Sequence, residues 1–176
     1  MNNTTNQLKL ATKAIKGQTT GYHRVVVTPT HVSNGHWAIP RARLSNDSAL
    51  DSEQTLALIA PKADYRTVEQ DTIDRVCSHG NTATTAEYQE PVIFTDTGLL
   101  SVCGKVHTRI YCADNGAYAG LDEVYVQWLG LEGETLLGHP SGTRVLSHGD
   151  VWIMPKKFPM PECLVQPQPE TELTTV

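Results

Sequence analysis

The side chains with chemical potential fall into three groups. Cys77 with His79, and Cys103 with His107 and then Cys112, offer the thiolate and imidazole donors that suit zinc. Ser147, His148 and Asp150 contain the residue types of a nucleophile, a base and its orienter. Lys9, Lys13 and Lys16 recur at helical spacing, so three compact point charges would share one stripe and could meet phosphates.

Spacing weighs against the first two groups. On one regular strand Cys103, Lys105 and His107 would lie on one face and Cys112 on the other, so three ligands converge only if the strand breaks between Thr108 and Cys112. The expectation is therefore no bound metal and no cofactor, with Cys103, His107 and Cys112 as the ligand set if one exists. Ser147, His148 and Asp150 are almost adjacent in a Gly-containing turn, where they cannot line up as a relay, and they read as turn residues. His31 and His36 lie diagonally across a hairpin as surface histidines. The chain has no G-x-G-x-x-G, G-x-x-x-x-G-K-[ST], H-E-x-x-H or G-x-S-x-G, so an enzyme is disfavoured.

The elements that would position these residues follow from period and punctuation. Leu8, Leu10, Ala11, Ala14 and Ile15 form one apolar arc opposite the lysines, and Gly17 stops this helix. Arg24-Val25-Val26-Val27 is β-branched, and Arg24, with Arg41 and Arg43, would extend the basic stripe. Thr30 to Ser33 and His36 to Ile39 flank Asn34-Gly35, a hairpin signal that pairs Ser33 with His36 and Val32 with Trp37. Thr30, Val32, Trp37 and Ile39 then take the core face.

About 45–90 reads as a helical insert: Asp51 to Ile59, then a capping box Thr67-Val68-Glu69-Gln70 opening a helix to Cys77. Pro91 to Thr95, a turn at Asp96-Thr97-Gly98, and Leu99 to Cys112, long or broken at Gly104, form a second strand group. A helix follows from Leu121 to Leu129, then a hairpin from Thr143 to Met154 about His148-Gly149. The prolines and acids of 158–176 make a flexible tail, leaving 1–157 as a single α+β, β-rich domain.

The 176 residues suffice for one core, and 14 Lys+Arg against 19 Asp+Glu give net charge -5, so any nucleic-acid surface is local. Four cysteines without a C-x-x-C pair fit reduced thiols, and no apolar run has membrane-spanning length; a cytoplasmic chain with no membrane partner is expected.

One stretch is echoed. Ser33-Asn34-Gly35-His36-Trp37-Ala38-Ile39-Pro40-Arg41 and Ser147-His148-Gly149-Asp150-Val151-Trp152-Ile153-Met154-Pro155-Lys156 share the order Ser, Gly turn, Trp, Ile, Pro, basic residue. If Trp37 and Trp152 are equivalents, the second copy carries one extra residue. At Val32 to Trp37, and at Asp122 to Leu129 followed by Val151 to Lys157, the chain resembles the bacterial DNA sliding clamp. That resemblance implies two pseudo-duplicated halves of helix plus antiparallel strands, with Asn34, Gly35, Trp37, Gly149 and Trp152 as structural hairpin residues. It also implies a non-enzymatic, replication-associated role, with replication proteins or further copies of the chain as partners. Duplex DNA would be held without sequence preference at Lys9, Lys13, Lys16 and Arg24. Asn34 stands where the clamp turn has an acid. Two other roles are compatible with the residues: a small interaction domain with structural zinc, or a clamp ligand docking through Gln7-Leu8-Lys9-Leu10.

Overall fold

The computed structural model describes residues 24–45, 54, 64–67 and 90–158. The strands are β1 (Arg24–Val27), β2 (His31–Ser33), β3 (Trp37–Pro40), β4 (Asp64–Thr67), β5 (Val92–Cys103), β6 (Val106–Ala113), β7 (Tyr118–Asp122), β8 (Thr135–Gly138), β9 (Leu146–His148) and β10 (Val151–Ile153). Two helices accompany them, a single turn α1 (Ala42–Ser45) and α2 (Glu123–Leu129). The strands join in one sheet of order β4-β1-β2-β3-β10-β9-β8-β5-β6-β7, antiparallel over nine strands, with β4 added parallel to β1.

Within that order lie two meanders, β1-β2-β3 and β8-β9-β10, joined antiparallel through their last strands, with Trp37 level with Ile153 and Ala38 level with Trp152. Alternation decides what each strand buries. Val32, Trp37, Ile39, Phe94, Leu136, Leu146, Val151 and Ile153 point into one core, whereas Leu137 and Ile93, directly opposed on the other face, stay exposed. α2 packs on β6 and β7, yet its Trp128 ring meets Trp37 of β3 edge-on, 4.6 Å between centroids. Strands far apart in sheet order thus touch one helix, so the sheet curls around it.

Several expectations are corrected. The first hairpin pairs Ser33 with Ala38 and Val32 with Ile39, two residues away from the predicted register. The Asn34 N–H donates to the Trp37 carbonyl (3.3 Å), which makes Gly35-His36 the tip. A shift of two preserves every facing, so Val32, Trp37 and Ile39 are buried as predicted, while Thr30 is exposed. The second hairpin pairs His148 with Val151, placing Gly149-Asp150 at its tip. Gly35 and Gly149 are thus the corresponding tip residues, and Trp37 matches Val151 without an inserted residue. Trp152 corresponds instead to Ala38 and is half-buried on the opposite face, where His31 lies 5.1 Å from its ring.

Asp96-Thr97-Gly98 does not reverse the chain. It is an irregularity inside β5, and the reversal comes at Gly104-Lys105, between Cys103 and Val106. The Thr97 hydroxyl supplies the reason: it donates to the Ile110 carbonyl (2.7 Å), holding the irregular segment against β6. In the insert, Asp64–Thr67 is strand, paired in register with β1, so Thr67 is an extended residue. Gln54 is helical, and the remaining insert helices lie outside the described residues, as do the helix read over 8–16 and the tail beyond Phe158.

Candidate functional site

The residues singled out by type are dispersed. Lys9, Lys13, Lys16, Cys77 and His79 lie outside the described residues, and Arg24 stands in β1 level with Asp64. The hairpin turn at Gly104-Lys105 overturns the single-strand picture of the thiols. Val102 pairs with His107 and Cys103 with Val106, so Cys103 and His107 face opposite sides. Cys112 shares the Cys103 side but pairs with Thr95 at the far end of the ladder, roughly 20 Å away at the strand rise. Among the described residues no three His, Cys, Asp or Glu side chains are placed to share a metal ion.

Ser147, His148 and Asp150 are each engaged separately. The Ser147 hydroxyl points to the Leu137 carbonyl at 3.5 Å, His148 Nδ1 donates to the Thr135 carbonyl at 2.9 Å, and Asp150 pairs with Arg43 at 3.4 Å. No relay is assembled.

Two constellations are assembled. The first joins the tip of the β2–β3 hairpin to α2. Asn34 Oδ1 accepts the N–H groups of His36 (2.9 Å) and Trp37 (3.2 Å), closing the turn from its side chain. The same side chain hydrogen-bonds Tyr125 of α2, whose ring stacks on His36 with 6.3 Å between centroids. Burial raises the Tyr125 hydroxyl pKa, and the Asn34 bond pulls it partly back. The amide therefore does what a turn carboxylate does for the backbone and also carries N–H donors.

The second is a charge cluster, buried at Asp96 and Glu123 and open to solvent at Glu132, that residue spacing does not reveal. Arg109 on β6 lies 3.3 Å from Asp96 and 3.6 Å from Glu123 through Nε, and 3.1 Å from Glu132 through Nη2. Asp96 sits in the β5 irregularity, where its two oxygens accept the N–H groups of Gly98 (2.9 Å) and Gly133 (2.8 Å). Glu123 opens α2 and accepts a hydrogen bond from Gln127 (2.9 Å). Desolvation raises the Glu123 pKa, with Arg109 opposing it, and burial raises Tyr111, whose hydroxyl donates to the Leu131 carbonyl (2.6 Å). One cation among three carboxylates thus ties β5, β6, the start of α2 and the turn after it. These residues come from segments far apart in the chain, and no local motif signals their meeting.

Neither constellation presents a nucleophile with a base beside it. What the arrangement offers is a shaped surface: a hairpin pinned on a helix within a curled sheet. Comparison with protein-family models, curated proteins and solved structures finds no match.

Proposed function

We propose that the chain is a non-enzymatic module of DNA replication, resembling a sliding clamp domain, that acts by binding proteins and duplex DNA. The observation that carries this reading is the junction of the two meanders. Ser33, Gly35 and Ile39 match Ser147, Gly149 and Ile153 without a gap when the hairpin tips are aligned, and β3 and β10 are neighbours running antiparallel. Trp37 and Val151 then occupy matching core positions, both buried. Antiparallel last strands meeting side by side are what a local two-fold between duplicated units produces.

In this reading α2 precedes the second meander as the helix expected over 8–16 would precede the first. Only the first is basic, since α2 carries Glu123 and no Lys or Arg. Contact with phosphates then rests on Lys9, Lys13 and Lys16, with Arg24 beside them in sequence order. The cytoplasm is where such a module would work.

The test is a duplex titration at several salt concentrations, with the parent chain and with Lys9→Glu, Lys13→Glu and Lys16→Glu combined. Three phosphate contacts predict a log-log salt slope of about -3, indifferent to sequence, and loss of binding in the variant. Equal binding by both proteins, or none by either, removes DNA from the proposal and leaves protein binding.

A further inference from the structure

Residues 154–158, which follow β10, stay on the sheet. The Met154 N–H donates to the His36 carbonyl (2.7 Å), and two residues later the Lys156 N–H donates to the Gly120 carbonyl (2.8 Å) of β7, the last strand at the other end of the sheet. Residues 154–158 thus form a strap between strands that the sheet order keeps far apart. Lys156 Nζ reaches Asp122 Oδ2 and the His107 carbonyl, both at 3.3 Å, and the Phe158 ring lies directly on Gly120. No side chain fits beneath that ring: a Cβ on Gly120 would overlap it and come within 2.8 Å of Thr108 Cγ2.

The strap therefore marks a built receptacle with three parts. A backbone carbonyl on β7 takes an extended chain, a carboxylate with a carbonyl beside it takes a cation, and a bare glycine takes an aromatic ring two residues on. On β7 and β6 its present occupant is held by the Lys156 backbone hydrogen bond to Gly120, the Lys156 Nζ contacts to Asp122 and to the His107 carbonyl, and the Phe158 ring contact, with the Lys156 side chain still partly exposed. Such a hold yields to a competitor of the same chemistry.

We propose that the β7 edge, floored by Gly120 and flanked by Asp122, is a docking groove for an extended peptide of a partner protein carrying Lys, any residue, then an aromatic, and that the chain's own Lys156-Lys157-Phe158 keeps it closed. This is independent of the clamp reading. Tethering gives the strap an effective concentration in the millimolar range, so free peptide competes poorly until the strap is disarmed.

The probe is a synthetic peptide copying residues 153–158, titrated into the full chain and into the full chain carrying Lys156→Ala with Phe158→Ala. The disarmed chain binds it at least tenfold tighter than the parent does. Peptides with the first lysine changed to Glu, or the Phe to Ala, lose at least tenfold. Gly120→Ala in the disarmed chain abolishes binding. Equal binding of all three peptides, or no binding by a disarmed chain that keeps its native spectrum, overturns the proposal. Should the disarmed chain fail to fold, the parent decides: millimolar peptide must shift the Gly120 and Asp122 amide signals, and unmoved signals overturn it equally.

Discussion

Arg109 stands among three carboxylates, and nothing in its sequence neighbourhood marks it. With Asp96 and Glu123 almost wholly buried beside it, Arg109→Ala strands two carboxylates away from water. The expected cost is about 3 kcal/mol, read as a lower urea midpoint at neutral pH. Glu123 behaves differently because desolvation raises its pKa against the opposing pull of Arg109, so folding weakens its acidity. A raised carboxyl binds more protons folded than unfolded over the window that starts at its ordinary value near 4.5, so stability falls as pH rises through that window. Glu123→Gln keeps the Oε1 acceptor for Gln127 and removes the ionisable group; at neutral pH it should be at least as stable as the parent. A variant clearly less stable at pH 7 would show that the Arg109 ion pair outweighs the desolvation. At Asn34, Asn34→Ala orphans the His36 and Trp37 N–H groups and should cost about 1–2 kcal/mol, whereas Asn34→Asp retains the acceptor and should cost little. Thermal unfolding of the two variants in parallel separates these outcomes.

The two echoed hairpins look alike in sequence and differ in what they bury. Trp37 is fully enclosed and braced by Trp128, so Trp37→Ala should cost about 3–5 kcal/mol; Trp152 lies half-buried on the outer face, and Trp152→Ala should cost far less. Comparable losses in equilibrium denaturation would contradict the assignment of Trp37 to the core and Trp152 to the outer face. Here the legibility of the sequence has a physical limit. The presence of the two hairpins and the alternating core positions Val32, Trp37 and Ile39 are local, and local signals mark them; each hairpin tip falls one residue later than its Gly-turn signal suggests, and α2 begins at Glu123 behind the Asp122 cap, where the helical spacing placed its start at Leu121. The echo suggested aligning tryptophan with tryptophan, but backbone register aligns tip with tip, and a one-residue difference moves a side chain to the other face. Asp64–Thr67 shows the same limit from another side. Its strand state comes from pairing with β1, a distant partner, while its own residues read as the approach to a helix. The Asp96 irregularity read as a turn because Asp-Thr-Gly carries turn chemistry; what overrides it is the bond from Thr97 to Ile110, again across strands.

For the molecule as a whole, a net charge of -5 against three lysines on one predicted helix limits what DNA binding can be. A slope near -3 per chain corresponds to weak binding at physiological salt, so tight binding requires several chains presenting the stripe at once. Sedimentation with and without duplex should therefore show that any tight complex contains more than one copy; a one-to-one tight complex would contradict the stripe as the contact surface.

The junction of β3 with β10 also dictates a timetable. The first meander finds its neighbour only in a strand more than a hundred residues later, so a ribosome must reach Ile153 before the middle of the sheet can form. Such distant pairing makes this junction slower to form than the local hairpins and leaves the edge of β3 uncovered until residues 151–153 have been made. A nascent chain stopped before Leu146 would carry that uncovered edge permanently, which makes it the species for a chaperone to recognise.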